Sequence, residues 1–337
     1  MRPAKLGLDD TLRTASPQRR GHGRSLAAVA LVAVLLAGSV GGWLLWPRSA
    51  APPAITIAPA PISAPPGVPA TPAFHIETAT EQQILDDVPT GLTIFRFADN
   101  PRILVLDFAS LHEQGMMLNR VAALIEKAGL PRDRVLTEDE LDAAIRAEGD
   151  TVETFYYGHD YAAASLVRFF ALADSEQIKL DPQEETLRAL LRQESWFTSG
   201  ANAGLISLPA VGSDATVTAS TRAAILRHEL SHGEFFSNPV YAAYVHDFWL
   251  TALTEPERIA FRRFLGSEEY DASEEELMYN EMQAYLMFTR DPLFFTPAMA
   301  ELTPDRLAEL QARFLAGMPP GWLHDVLAGY PKAVSAK

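Results

Sequence analysis

Two histidines four positions apart, His228 and His232, carry the most specific chemical signal in this sequence, and Glu229 directly follows the first. On an α-helix, residues four positions apart lie about 40° apart around the axis, so both imidazoles can reach one metal ion. The next residue projects about 100° away, which brings the Glu229 carboxylate near a water molecule at that ion. The spacing therefore predicts a metal-dependent hydrolytic centre.

The residues around this motif favour a buried helix over 221–237. Apolar side chains precede the motif, lie within it and follow it, namely Leu226, Leu230 and Phe236. A surface helix with unrelated histidines is the alternative, but such a helix is apolar on one side only. We expect Ser220 or Thr221 to cap the start of the helix, and Asn238 and Pro239 to end it.

A third metal ligand must be histidine, aspartate or glutamate, because the sequence contains no cysteine. Glu281 lies among apolar residues on a predicted helix over 273–289, and a carboxylate buried there needs a cation or a metal ion. An ordinary salt bridge is the alternative role for this side chain. Other candidate ligands are His246, Asp247, Asp271, Glu274, Glu275 and Glu276, of which His246 and Asp247 are the main competitors.

The motif followed by a glutamate on a later helix resembles the zincin metallopeptidases, specifically the gluzincin branch to which thermolysin belongs. Residues 280–285 (NEMQAY) resemble the second ligand helix of that branch, and the resemblance covers roughly 220–290. The metzincin branch instead needs glycine and histidine at the positions of Phe235 and Asn238, so it is excluded. The resemblance implies Zn²⁺ held by His228, His232 and Glu281, with Glu229 as the general base of peptide hydrolysis.

A zinc ion with two imidazole ligands and one carboxylate ligand keeps a fourth position for water, whose pKa it lowers. Hydrolysis of an amide also needs a hydrogen-bond donor for the developing oxyanion. The candidate donors are Tyr285, Tyr279, His159 and Tyr157, and the spacing does not choose among them. The segment 156–161 (YYGHDY) combines polar and aromatic residues, although a packed aromatic turn is its alternative interpretation.

The elements that must position these residues form an α+β pattern. Residues 91–97 and 102–108 predict two strands joined by the turn at 99–101, and residues 205–208 predict a short edge strand before Pro209. Early helices are predicted at 109–128, 137–147, 161–173 and 184–193, with Thr137 and Glu140 forming a capping box. Later helices are predicted at 221–237, 240–252, 255–265, 273–289, 304–316 and 320–328. The zincin-like fold expected is a small mixed or antiparallel sheet followed by a mainly helical C-terminal half.

The N-terminal segments predict a single-pass membrane protein. Residues 1–24 contain six lysines and arginines, and residues 25–46 are 22 residues without a charge, long enough to span a bilayer. The positive-inside rule places this basic tail in the cytoplasm and the 74–337 domain outside the cytoplasmic (inner) membrane, in the periplasm if the source is bacterial. Residues 47–73 contain 9 prolines and predict an extended linker. A cleaved signal peptide is the alternative.

Composition excludes several other functions. The 337 residues carry a formal net charge of −15, which argues against nucleic-acid binding. The predicted function is therefore a membrane-anchored zinc peptidase acting on a protein or peptide. The alternatives are an inactive metal-binding or interaction domain of the cell envelope, and a zinc hydrolase of a non-peptide amide.

Overall fold

The strands of the described chain form one mixed five-stranded sheet with the order β1-β2-β3-β5-β4. The strands are β1 (Glu77–Ala79), β2 (Leu92–Phe97), β3 (Ile103–Phe108), β4 (His159–Ala162) and β5 (Gly204–Pro209). Strands β2 and β3 pair antiparallel, as predicted for a hairpin, and β4 pairs antiparallel with β5. The β1–β2 and β3–β5 pairs are parallel. The sheet is therefore mixed, and the predicted α+β class is confirmed.

The computed structural model describes residues 73–329. The predicted tail at 1–24, the anchor at 25–46 and nearly all of the linker at 47–73 lie outside these residues. Within the described part of the chain, no helix combines the length and the apolar character that a membrane crossing requires.

Helices occupy most of the described chain after β5. The earlier ones are α1 (Glu81–Asp86), α2 (Leu111–Ile125), α3 (Glu138–Glu148), α4 (Ala163–Ser175), α5 (Pro182–Gln193) and α6 (Trp196–Ser199). The later ones are α7 (Ala219–Ser237), α8 (Pro239–Thr251), α9 (Glu255–Ser267), α10 (Glu275–Gln283), α11 (Pro304–Gly317) and α12 (Trp322–Gly329). A π-helical turn (Ala284–Phe288) follows α10, and a short 3₁₀ turn (Pro297–Ala300) precedes α11. The predicted helical second half is confirmed.

Two predictions, one about the position of β5 and one about the residues that form β4, are wrong. Residues 205–208 were expected at an edge, but β5 lies between β3 and β4. Pro209 is tolerated there because it is the last residue of the strand, where a missing N–H interrupts little of the ladder. The helix expected over 161–173 begins only at Ala163, because the preceding residues form β4 at the sheet edge.

Helix α7 packs across one face of the sheet and is fixed there by both close packing and charge. The β-carbon of a residue at Gly204 would lie 3.0 Å from the Gly233 Cα, so the two glycines permit the close approach of β5 and α7. The Arg222 guanidinium donates two hydrogen bonds to the Asp107 carboxylate on β3, at 2.8 and 2.7 Å, and both side chains are buried. This bidentate pair fixes the start of α7 against the sheet.

The N-cap of α7 differs from the prediction. Thr218 accepts a hydrogen bond from the Thr221 backbone N–H at 3.2 Å, so the helix begins earlier than the expected caps Ser220 or Thr221. At the other end, Asn238 and Pro239 stop the helix as predicted. The capping box predicted for Thr137 and Glu140 is confirmed at the start of α3.

Candidate metal centre

Helices α7 and α10 bring three potential metal ligands to one buried point. The Nε2 atoms of His228 and His232 are 3.1 Å apart. The Glu281 carboxylate approaches both of them, with Oε2 3.6 Å from His228 Nε2 and Oε1 3.6 Å from His232 Nε2. All three side chains are buried.

These distances fit a small tetrahedral ion. Zinc lies about 2.0–2.2 Å from nitrogen and oxygen ligands, which implies ligand atoms roughly 3.3–3.5 Å apart. The separations of 3.1 and 3.6 Å lie on either side of that range. Neither oxygen of Glu281 has a hydrogen-bond partner, although the side chain is fully buried. Burial raises the pKa of Glu281 to about 8, so its ionised form needs a nearby cation, and two imidazoles with this carboxylate fit Zn²⁺.

Thr289 orients the first histidine. The His228 Nδ1 lies 2.7 Å from Thr289 Oγ1, and that hydroxyl donates to the Ala284 carbonyl at 3.0 Å. The hydroxyl therefore accepts from Nδ1–H, which leaves Nε2 unprotonated and directed at the centre. Burial lowers the pKa of His228 to about 4, so the imidazole is neutral at neutral pH, the form that binds metals.

The π-helical turn after α10 places Thr289 beside α7, and such turns often occur at functional sites. The helix predicted over 273–289 is a regular α-helix only as far as Gln283, because the π-helical turn begins at the next residue. Thr289 could not be predicted as part of the centre, since nothing in the local sequence pattern indicates the extra backbone residue in the turn.

Asp160 of β4 faces the second histidine. Its Oδ1 lies 3.8 Å from His232 Nδ1, an ion-pair distance rather than a hydrogen bond. On another side, the Phe236 ring stacks on the His232 ring with centroids 6.5 Å apart. A carboxylate beside the second ring nitrogen is the usual support for a histidine that binds metal. Asp160 is thus a residue of the centre that the sequence analysis did not single out, although it directly follows His159.

Glu229 has a carboxylate oxygen within 4.8 Å of a ring nitrogen of His232 and of a carboxylate oxygen of Asp160, and it lines a cavity of about 10 Å³, enough for about one water molecule. The side chain is 2% exposed, and its Oε2 has no hydrogen-bond partner. Burial, followed by the negative charges of Asp160, Glu281 and Glu126, raises the pKa of Glu229 well above its usual range. This carboxyl group is therefore suited to hold a proton, and a bound cation would favour its ionised form.

Of the four candidate oxyanion donors, only Tyr285 lines the cavity that contains Glu229. Its hydroxyl has no hydrogen-bond partner, and its ring packs edge-on against His228 with centroids 4.8 Å apart. His159 lies outside the lining and binds Ser207 Oγ through Nδ1 at 2.9 Å. Burial lowers the pKa of His159 to about 3, so this ring is neutral.

The two remaining donor candidates, Tyr157 and Tyr279, also lie outside the lining of this cavity. Tyr157 packs in the core between the sheet and α7, and Tyr279 contacts His246 with ring centroids 5.0 Å apart. Tyr156, which the sequence analysis did not propose as a donor, does line the cavity and has a hydroxyl without a partner.

The competing third ligands do not join the two histidines. Among the described residues, the groups close enough to share an ion with His228 or His232 contain Glu281, Glu229 and Asp160, and neither His246 nor Asp247. Asp271 pairs with Arg132 at 3.2 Å, and Glu275 accepts a hydrogen bond from Trp249 Nε1 at 2.6 Å. Glu274 and Glu276 instead line an adjoining groove.

A further acidic group, Glu148, Asp150 and Glu269, has the spacing of metal ligands. Two of its members already bind an ammonium group, since Lys127 Nζ lies 2.8 Å from Glu148 and 2.5 Å from Glu269. Lys127 is buried against the Phe155 ring, 4.1 Å from its centroid. The positive charge at this position is therefore supplied by the protein.

Comparisons with models of known protein families, with curated proteins and with solved structures found no match for this chain.

Proposed function

We propose that this chain is a zinc-dependent peptidase with a zincin-like fold and the gluzincin ligand set His228, His232 and Glu281. The observation that carries the proposal is the approach of the buried Glu281 carboxylate to both imidazole Nε2 atoms at 3.6 Å. Two imidazoles and one carboxylate form the ligand set of hydrolytic zinc sites that keep one position open.

Each residue of the centre then has a defined role. Bound zinc would supply Lewis acidity toward the scissile carbonyl group and the attacking water. Glu229 accepts the proton of that water and passes it to the leaving amine. The unpartnered Tyr285 hydroxyl donates a hydrogen bond to the developing oxyanion.

A peptide is the substrate best supported by the surroundings of the centre. Strand β4 is an edge strand, so the backbone groups on its outer side are not used in the sheet. An extended peptide can pair with such an edge through its own backbone. A groove of about 270 Å³ runs beside β4 and shares Glu126 and Asp160 with the small cavity at Glu229. The shared residues place this groove next to the centre.

The proposed site of action is the outer face of the cytoplasmic membrane. It follows from the basic residues before Ser25 and the uncharged segment 25–46. An alkaline phosphatase reporter fused after Lys337 should be active, because this reporter forms its disulfides only outside the cytoplasm. An inactive but stably expressed fusion would overturn the orientation.

The decisive test of the peptidase is Glu229→Gln in the full-length chain. The variant should retain zinc and fold normally, while hydrolysis of an unfolded protein substrate falls by about 10²–10⁴ through loss of the base. Glu309→Gln is the matched control, because that glutamate lies on α11 with a side chain 64% exposed. Activity that survives Glu229→Gln or chelation contradicts the mechanism. Hydrolysis of small amides alone indicates a non-peptide hydrolase, and zinc binding without hydrolysis indicates an interaction domain.

A further inference from the structure

The groove beside the metal centre is strongly acidic. Four of its lining residues are carboxylates, namely Glu126, Asp160, Glu274 and Glu276, and none of the described residues that line it is lysine or arginine. Phe236, Leu277 and Tyr161 form its apolar walls. This feature, defined by the four carboxylates with Phe236 and Asn280, is called the acidic groove below.

One polar side chain that lines the acidic groove lacks a partner although it is buried. Asn280 is 3% exposed, and its Oδ1 has no hydrogen-bond partner. Asp160 is 9% exposed, and its closest ionic partner is His232 Nδ1 at 3.8 Å. A buried acceptor without a donor is costly, so the Asn280 oxygen requires a hydrogen-bond donor from a molecule that enters the groove.

The charge balance favours a cation there. Four carboxyl groups, those of Glu126, Asp160, Glu229 and Glu281, lie around the metal centre and the adjoining groove. The lysine in the lining of the neighbouring cavity, Lys127, is already paired with Glu148 and Glu269. A positively charged group in the groove would therefore meet carboxyl groups and no lysine or arginine of the described lining.

The groove lies next to the metal centre, so a cation bound there would be part of the substrate. Asp160 lines both the groove and the cavity of Glu229, while Asn280 directly precedes Glu281. The ring of Phe236, which forms one wall of the groove, stacks on the ring of His232. A side chain in the groove therefore belongs to a residue next to the bond under attack. The apolar walls fit a methylene stem, and the carboxylates fit a charged head.

We propose that the acidic groove binds a lysine or arginine side chain adjacent to the scissile bond, which makes this chain selective for basic sequences. The proposal rests on the peptidase function proposed above. Glu126 and Asp160 pair with the charged head at the inner end, and the exposed Glu274 and Glu276 attract the basic segment to the entrance.

The test uses full-length protein and one peptide series that differs at single positions on either side of the scissile bond. Lysine, arginine, uncharged norleucine and glutamate are compared at each position. The kcat/KM for lysine or arginine should exceed that for norleucine by at least about tenfold, the value of one well-placed ion pair. Glu126→Gln and the double variant Glu274→Gln/Glu276→Gln should reduce this ratio, whereas Glu309→Gln should not. A loss of folding would change all peptides alike and leave the ratio unchanged.

A second measurement separates this inference from the peptidase proposal. Binding of the same peptides, labelled with a fluorophore, is measured with the Glu229→Gln variant. Equal cleavage of the lysine, arginine and norleucine peptides overturns the groove assignment and leaves the peptidase intact. Tighter binding of basic peptides without cleavage by the native chain supports the groove and contradicts the peptidase. If the native chain cleaves none of the peptides and the Glu229→Gln variant binds none of them preferentially, both proposals are overturned.

Discussion

The backbone of Gly158 lies directly against the carboxylate of Glu229. A β-carbon at position 158 would overlap Glu229 Oε1, so only glycine leaves room for the carboxylate in this position. Gly158 immediately precedes β4, whereas Glu229 is on α7, and both line the same small cavity. The position of the proposed base is thus fixed by a backbone segment distant from it in sequence.

Gly158→Ala should therefore displace Glu229 without removing any metal ligand. Misplacing a catalytic group by about 1 Å costs roughly 10²-fold in rate, and we expect a loss of that order in kcat. Zinc content, measured by elemental analysis, should stay at the native level. Gly91→Ala is the control, because a β-carbon there meets nothing within 4 Å. Native activity in Gly158→Ala would contradict the role assigned to this contact.

The ligand set predicts the outcome of three single substitutions. His228→Ala, His232→Ala and Glu281→Ala should each lose zinc during dialysis against a chelator, because each removes one of three protein ligands. The loss in affinity should exceed the 10–100-fold typical of residues that only support a ligand. Asp247→Ala should keep its zinc, since Asp247 does not share a potential ion site with the histidines among the described residues. The reverse result for Glu281 and Asp247 would show that the third ligand is misassigned.

Local sequence signals sufficed for the elements that carry the ligands. The i, i+4 histidines and the apolar flanks predict α7, and the apolar positions around Glu281 predict a buried carboxylate, which is what α10 presents. The Thr137 capping box was likewise predictable, because its two residues contact each other within one helical turn. These features depend on neighbours in the sequence.

The support around the ligands depends on long-range contacts and could not be predicted. The segment that contains Asp160 is a strand only because it pairs with β5, which lies far along the chain. Thr289 reaches His228 only because the turn after α10 inserts an extra residue into the helical ladder. The interior position of β5 is set by its partners on both sides, which the short run at 205–208 does not encode.

The buried pair of Arg222 and Asp107 predicts a large effect on stability. Arg222→Met leaves the Asp107 carboxylate fully buried without its bidentate partner. Breaking one side of such a pair costs about 3–5 kcal/mol, and we expect the free energy of unfolding in urea to fall by that amount. The double variant Arg222→Met/Asp107→Leu should recover part of the loss, because it removes the unpaired charge. A single variant within about 1 kcal/mol of the native chain would contradict this account.

Thr289 gives the most specific test of the metal centre, because it touches a proposed ligand without being one. Its hydroxyl accepts from His228 Nδ1–H at 2.7 Å and so fixes the tautomer whose Nε2 faces Glu281. Thr289→Val keeps the shape of the side chain and removes the acceptor. Zinc affinity, measured by competition with a chromogenic chelator, should fall about 10–100-fold.

Thr289→Ser is the matched control, because it restores the hydroxyl and should recover most of the affinity. A general loss of packing would affect serine at least as much as valine, since serine also lacks the buried methyl group. The order native, then serine, then valine in zinc affinity therefore identifies the hydrogen bond as the cause. Zinc affinity in Thr289→Val within about twofold of the native value would mean that His228 is oriented by its packing against Tyr285 instead.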